Sequence, residues 1–225
     1  MSAASASTPP SAGADDGTQL RERKKRATRR ALQLAGLTLV AERGLDAVTT
    51  EEIAAAAGVS QRTLFNYFAS KEEVLVGHDP DLVQRLAARL LDQPPERSSL
   101  EALREVCLDY AEYLASDEKR WRLRMQVLDA NPTLLPAMMG ASAVFGRALK
   151  QAIAARTGTD AEQDLYPGLV VSVALTAMRI AQQRHAASGF ALPMPDLTSE
   201  AFDMLLAGLP DPPRSAPGGP TGSTQ

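Results

Sequence analysis

The stretch Thr49 to Lys71, TTEEIAAAAGVSQRTLFNYFASK, decides how the rest of the chain is read. Thr49 and Glu52 have the Thr-x-x-Glu spacing of a capping box, which predicts a helix start, with Ile53, Ala54 and Ala57 on its inward side. Gly58 ends that helix, and Val59 is placed to plug the angle before a second one. Ser60 is the expected cap of this second helix, and Leu64 and Phe68, four residues apart, give it one inward face. Gln61, Arg62, Thr63, Phe65, Asn66 and Tyr67 are left near the surface. So many donors, a guanidinium and exposed rings on one short helix suit a DNA groove better than a protein core.

Outward from this unit, Leu32, Ala35, Gly36, Leu39 and Val40 follow an amphipathic helical stripe that Gly44 closes. Before it, Arg21, Arg23, Lys24, Lys25, Arg26, Arg29 and Arg30 are opposed only by Glu22. Cations at a helix N-terminus oppose the macrodipole, so stability does not account for the cluster, whereas phosphate contact does. An isolated basic run is usually a solvated helix start. Beside a helix-turn-helix it reads as a backbone-binding arm, with Arg26 and Arg29 as candidate contacts. After the reading unit, Ser70 and Glu73 form another capping box, which predicts a helix to about Leu91, with Lys71 at its start placed for a phosphate.

These pieces carry a resemblance. The run from about Leu32 to Leu75 resembles the N-terminal DNA-binding domain of the TetR (tetracycline-repressor) family of bacterial transcriptional regulators. The matching residues are the apolar helix ending in Gly44, Val-Thr-Thr at 48–50, Ile-Ala at 53–54, Ala-Gly-Val-Ser at 57–60, Thr-Leu-Phe-Asn-Tyr-Phe at 63–68 and Ser-Lys-Glu at 70–72. They cover about a fifth of the chain. Two positions depart from the family pattern: Gly36 stands where Ala is usual, and Val40 where an aromatic is common. The resemblance implies an all-α fold, a three-helix head carrying a helix-turn-helix, and a larger helical body that dimerises through its last two long helices and holds an effector pocket. The expected boundaries are a disordered tail at 1–18, the head at 19–70, the body at 71–209 and a second disordered tail at 210–225.

Motif and resemblance together imply that Arg62 and Gln61 hydrogen-bond base edges and that Phe65 meets a thymine methyl. Thr50, Thr63, Tyr67 and Lys71 would hold phosphates, with Thr49, Ser60 and Asn66 on the same face. The implied partner is a double-stranded pseudo-palindromic operator, read by a homodimer and released when a small-molecule effector binds the body. Repression is the expected sign. The alternatives are an activator and a helical adaptor without DNA, and the adaptor leaves the basic arm beside the Gln-Arg-Thr helix start unexplained.

Composition agrees. The 225 residues are 44% hydrophobic but only 4% aromatic, so the core is built from Ala, Leu, Val and Met, which favours helices. The net charge is −3. Gln19 to Leu75 holds ten Lys and Arg against seven Asp and Glu, net +3, which leaves fourteen against twenty, net −6, elsewhere. Positive charge is thus segregated onto the reading end. A single cysteine, Cys107, and two histidines leave no thiolate metal site and fit a reducing cytoplasm. The N-terminal MSAASASTPPSAGADDG lacks the order of a secretion signal. The longest apolar run, Gly168 to Met178, is shorter than the roughly 18 residues a bilayer span needs, so no membrane segment is expected.

In the body, Pro94 and Pro95 make a break, and Ser98 with Glu101 restarts a helix whose seam is Leu100, Leu103, Cys107, Tyr110 and Leu114. Helices follow over 117–129 and about 134–156. Thr159 with Glu162 predicts a further start, with a kink or restart near Pro167, and a last helix is expected over Leu197 to Leu209. Trp121, Met125, Leu128, Met138, Phe145 and Met178 are the candidate pocket lining, because thioethers and rings suit adaptable apolar ligands. Leu169, Val173, Ala177, Ile180, Phe202, Leu205 and Leu209 are the candidate subunit interface. Core packing is the plainer explanation of each. No phosphate loop, histidine-centred triad or metal-spaced ligand set is present, so no cofactor, metal or enzymatic activity is expected.

Overall fold

Thr49, Ser60 and Ser70 each close the first turn of a short helix by accepting a backbone N–H three residues on, from Glu52 at 3.2 Å, Thr63 at 3.1 Å and Glu73 at 3.2 Å. The Thr49 box is reciprocal, since the Glu52 carboxylate accepts the Thr49 N–H at 2.8 Å. The structure, a computed structural model, describes residues 13–211, with side chains from Leu20. The expected tails lie mostly outside the described residues. Residues 13–18 are an exception, being helical rather than disordered.

Ten α-helices and no strand are found among the described residues: α1 (Gly13–Arg43), α2 (Thr50–Ala56), α3 (Gln61–Phe65), α4 (Lys71–Val76), α5 (Pro80–Leu91), α6 (Ser99–Ala115), α7 (Glu118–Ala130), α8 (Leu135–Thr157), α9 (Leu165–Ala187) and α10 (Met194–Leu206). In the head, α1 to α4 bury Leu32, Leu37, Ile53, Leu64, Phe68 and Leu75, each at most 2% exposed. Burial of each contributes roughly 2 kcal/mol. The same cluster takes in Val127 of α7 and Leu134, so the head's core is completed by the body. A second core joins α5, α6, α8, α9 and α10 around Leu103, Cys107, Tyr110, Leu149, Ala174 and Phe202.

The α1 stripe departs slightly from the expected one: Leu37 and Gln33 are buried while Ala35 and Leu39 are only half-buried. Gly36 is a close-packing position. A Cβ there would lie 3.0 Å from Val74 Cγ1, so its absence lets α1 approach α4, and Val40 is 2% exposed without needing a larger ring.

Four expectations about helix limits are corrected. The helix expected from Ser70 to Leu91 is two helices, because α4 stops at Gly77 and Asp79 caps α5 with Pro80 in its first turn. Gly77 is held close, its N–H donating to Glu73 O at 2.7 Å, and a Cβ would sit 2.5 Å from that oxygen. Thr159 and Glu162 form no box; the Asp160 carboxylate accepts from Glu162 and Gln163 instead, and α9 begins at Leu165. Pro167 falls in its first turn, where its missing N–H costs no bond, so it neither kinks nor restarts the helix. The last helix runs three residues earlier than expected at both ends.

Over 18 residues α9 reaches a mean hydropathy of 1.3, enough by length and composition to cross a bilayer, contrary to the reading from its apolar run alone. Its Val171, Ala174, Met178 and Ala181 are nevertheless buried, and it packs on α6, α8 and α10.

Arg29 is corrected as a phosphate contact. It is 7% exposed, donates to Tyr67 O at 2.7 Å and His78 O at 3.0 Å, and lies 4.1 Å over the Phe68 ring. It clamps the end of the reading unit to the α4–α5 link. Arg29→Met should lower unfolding stability by roughly 2–4 kcal/mol, since the carbonyls of the half-buried Tyr67 and His78 both lose a charged donor. The salt slope of DNA binding, from titrations at several ionic strengths, should stay unchanged; a flatter slope would return Arg29 to the phosphate contacts.

Candidate DNA-reading face and ligand cavity

On the head, α3 presents Arg62, Phe65 and Asn66 to solvent, with Phe65 50% exposed although it is a large ring. Gln61 and Thr50 are tied together, Gln61 Nε2 donating to Thr50 Oγ1 at 3.0 Å, which fixes α3 against α2 and holds the Gln61 amide beside the exposed face. Thr63 Oγ1 and Ser60 Oγ lie 2.8 Å apart. Thr49, Ser60 and the half-buried Tyr67 surround them. Eleven of the twelve expected contacts, all but Arg29, thus keep exposed or half-buried side chains.

Lys71 is half-buried. Its ammonium donates to Leu45 O at 2.7 Å and Val48 O at 2.9 Å, so it closes the α1–α2 loop over the start of α4. The basic arm is divided as well. Lys25 pairs with Asp81 at 3.0 Å and Arg30 with Asp117 at 2.7 Å, whereas Arg21, Arg23, Lys24 and Arg26 remain exposed along α1. The Lys25 pKa is raised, chiefly by its hydrogen bond to Asp81. That of Glu52 is lowered by the Thr49 N–H and by the Arg43 guanidinium at 2.7 Å.

In the body, a cavity of about 650 Å³ lies among α6, α7, α8, α9 and the α4–α5 link. Trp121, Met125, Leu128, Met138, Phe145 and Met178 all line it. Helical spacing brings the α7 residues to one wall, and α8 and α9 supply the facing one. Sequence reading missed the polar part of the lining: His78, Tyr110, Arg124 and Arg179. A break at Pro80 signalled that His78 sits in a link rather than mid-helix, and nothing in local sequence marks Arg124 among the arginines of α7.

His78 Nδ1 is 3.1 Å from the Tyr110 hydroxyl, and its ring packs on Phe145 with centroids 5.8 Å apart. Burial first, then the Arg124 and Arg29 charges, lower its pKa to about 3, so it is neutral. Burial likewise raises Tyr110 and Cys107 to about 12 each, and Cys107, wholly buried, is an inert core residue. Three consecutive carbonyls where α4 ends are taken by three donors: Val76 O by Arg124 at 2.7 Å, Gly77 O by Gln33 at 2.9 Å and His78 O by Arg29 at 3.0 Å.

Of the expected interface residues, Ala177 and Phe202 are corrected: at 6% and 0% exposure they are core of a single chain. Leu169, Ile180 and Leu209 are more than half exposed, and Val173 and Leu205 are half-buried.

A helix-turn-helix head on an all-helical body with an internal cavity defines a DNA-binding transcriptional regulator. Two family models match: that for bacterial regulatory proteins of the tetR family over residues 34–76, and that for the MftR C-terminal domain over 97–210. The regulator TcmR of Streptomyces glaucescens is 32% identical over 179 residues, 77% of this chain and 79% of its own. The putative mycofactocin biosynthesis regulator MftR of Mycobacterium tuberculosis is 29% identical, over 83% and 93%. The chain therefore belongs to the TetR family. Among solved structures, Thermus thermophilus FadR in complex with lauroyl-CoA superposes with a TM-score of 0.51 at 26% identity, covering 85% of this chain and all of that one. The fold is also that of Pseudomonas aeruginosa NalD, with a TM-score of 0.53 at 20% identity, over 82% and 96%.

The neutral His78 makes stability depend on pH. Its folded pKa lies below the ordinary 6.5, so the unfolded chain takes up the proton first, and this contribution is full above 6.5 and lost as pH falls toward 3. Between pH 7 and pH 5, denaturant unfolding of the wild type should lose about 2 kcal/mol more than that of His78→Gln. Parallel losses would show that His78 is charged in the fold.

Proposed function

We propose that the chain is a homodimeric repressor that reads a pseudo-palindromic operator through two copies of α3 and leaves it when a small molecule fills the cavity. It acts in the cytoplasm by binding alone, without catalysis or a cofactor. One observation carries the reading: Arg124 and His78 line the cavity, His78 lies in the α4–α5 link, Arg124 holds Val76 O at the end of α4, and Arg29 fastens that link to Tyr67, two residues beyond α3. A change in the cavity therefore reaches the reading head through three side chains. Arg62 and Gln61 are assigned to base edges, Phe65 to a thymine methyl, and Thr49, Thr50, Ser60, Thr63, Asn66, Tyr67 and Arg26 to positioning contacts.

A second copy is supported by the apolar strip on α9 and α10. Leu165, Leu169 and Ile180 of α9 and Leu209 just after α10 are 53–80% exposed, and Leu135, Met139 and Val144 of α8 are 51–63% exposed. A patch of this kind marks an interface. One short α3 reads too few bases alone, whereas two heads about 34 Å apart read one helical turn of DNA.

Selection of bound fragments from random DNA should enrich inverted repeats. Arg62→Ala should cost roughly 1–3 kcal/mol in operator affinity and relax one base position in each half-site; equal weakening on every sequence would make Arg62 a phosphate contact. Leu169→Arg combined with Ile180→Arg should turn the dimer into a folded monomer by sedimentation, with full-operator affinity falling about a hundredfold or more. A dimer that survives both charges would place the interface elsewhere.

A further inference from the structure

The cavity wall holds a cation with no partner of opposite charge. Arg124 is surrounded by protein, and desolvation draws its pKa below the usual range. Among the described residues no carboxylate lies within 4.0 Å of it, whereas Arg29, Arg30, Arg104 and Arg120 each have one within that distance. Its hydrogen bond to Val76 O uses one of five N–H donors. The side chain is half-buried and lines the cavity. A desolvated charge in this state is costly unless a partner arrives.

The rest of the lining narrows the partner. The apolar lining comes from Met125 and Leu128 on the same helix as Arg124 and from Met138, Phe145 and Met178 on α8 and α9, which suit an extended apolar body. Arg179 adds a second cation at an exposed position, bonded to Gln183 at 3.2 Å. The cavity's one carboxylate, Asp129, is exposed. The Trp121 indole N–H, in the same wall, is buried without an acceptor. His78 is neutral and contributes no counter-charge. Two arginines thus face one exposed carboxylate on the wall, the other polar lining residues, Asn131, Ser142, Thr176, Gln182 and Gln183, being uncharged, and the volume is that of a drug-sized ligand.

We infer that the effector is an amphipathic organic anion, an apolar body bearing one acidic group, whose negative oxygens pair with Arg124. This rests on reading the cavity as the effector site. The anion gains a bidentate charged contact in a site of low polarity, and neutral molecules with the same apolar body gain only the packing. Because Arg124 also holds Val76 O, an anion that takes the guanidinium competes with the end of α4 for its donors. Ligand charge, rather than ligand bulk, becomes the feature that the head senses.

The test uses two fluorophores of one shape on the full chain: 1-anilinonaphthalene-8-sulfonate, which is anionic, and N-phenyl-1-naphthylamine, which is not. Fluorescence titration should give roughly tenfold or more tighter binding of the sulfonate, with each probe displacing the other. Arg124→Gln should abolish the preference while leaving the neutral probe's affinity within about twofold, and Arg124→Lys should keep most of it. Equal affinity of the two probes for the wild type would overturn the inference even if Arg124→Gln fails to fold. So would a preference that survives Arg124→Gln and disappears in Arg179→Gln. If neither probe enters, or both bind without mutual displacement, the cavity reading falls along with the inference; if both enter equally, that reading stands and the anion alone is lost.

Discussion

The end of α4 is the constraint on which the structure depends. A helix leaves its last carbonyls without intrahelical donors, and water cannot reach those of α4 because Val76 and Gly77 are buried. Gln33 and Arg29 from α1 and Arg124 from α7 supply the missing donors to Gly77, His78 and Val76. Leaving even one such carbonyl unpaired costs roughly 1–3 kcal/mol, a sizeable share of the stability of a typical domain. The head is therefore fastened to the body by an obligation of its own backbone as well as by apolar contact. The short α4 explains why this is possible: Gly77 lets the chain turn where its neighbours converge.

The same junction orders the charges. Lys25, Arg29 and Arg30 come from one basic run, yet each faces a different partner: Asp81 on α5, the carbonyls at the ends of α3 and α4, and Asp117 at the start of α7. Surface pairs such as Lys25 with Asp81 add little, about 0–1 kcal/mol, and are screened by salt. Arg29 is different, because it is itself buried and lies over the Phe68 ring. Arg21, Arg23, Lys24 and Arg26 remain exposed on the first half of α1, where the proposed function has them attract phosphates. A basic segment of sequence thus holds both cations that dock the head and cations that face solvent.

That division marks the limit of what sequence discloses. Capping boxes are local, so Thr49 with Glu52 and Ser98 with Glu101 were readable and form as spaced. Pro80 was equally visible, but the strong start at Ser70 masked it, and two helices read as one. Thr159 with Glu162 has the right spacing and still forms no box, since Asp160 offers the same backbone a nearer carboxylate. Tertiary facts are less legible: Arg29 and Arg26 look alike in sequence, and only packing buries one of them. On α9 the apolar residues go round the whole helix, so periodicity could not separate buried Ala177 from exposed Ile180. The thioether and aromatic lining of the cavity was legible from chemistry, and its polar lining was not, because His78 and Tyr110 reach it from other elements.

A two-state element needs competing claims on one group, and Arg124 has them. In the unliganded chain its donor goes to Val76 O. Whatever takes that donor from within the cavity leaves the α4 carbonyl short of a partner, which favours a different seating of α4 and, through Arg29, of Tyr67. A charged hydrogen bond contributes roughly 1.5–3 kcal/mol. Coupling free energies between sites run over a similar range, about 1–3 kcal/mol, or 5- to 150-fold in affinity. A single rearranged bond is therefore large enough to shift DNA occupancy, and linkage requires the converse. DNA that holds α4 in its docked position must weaken the ligand by the same factor.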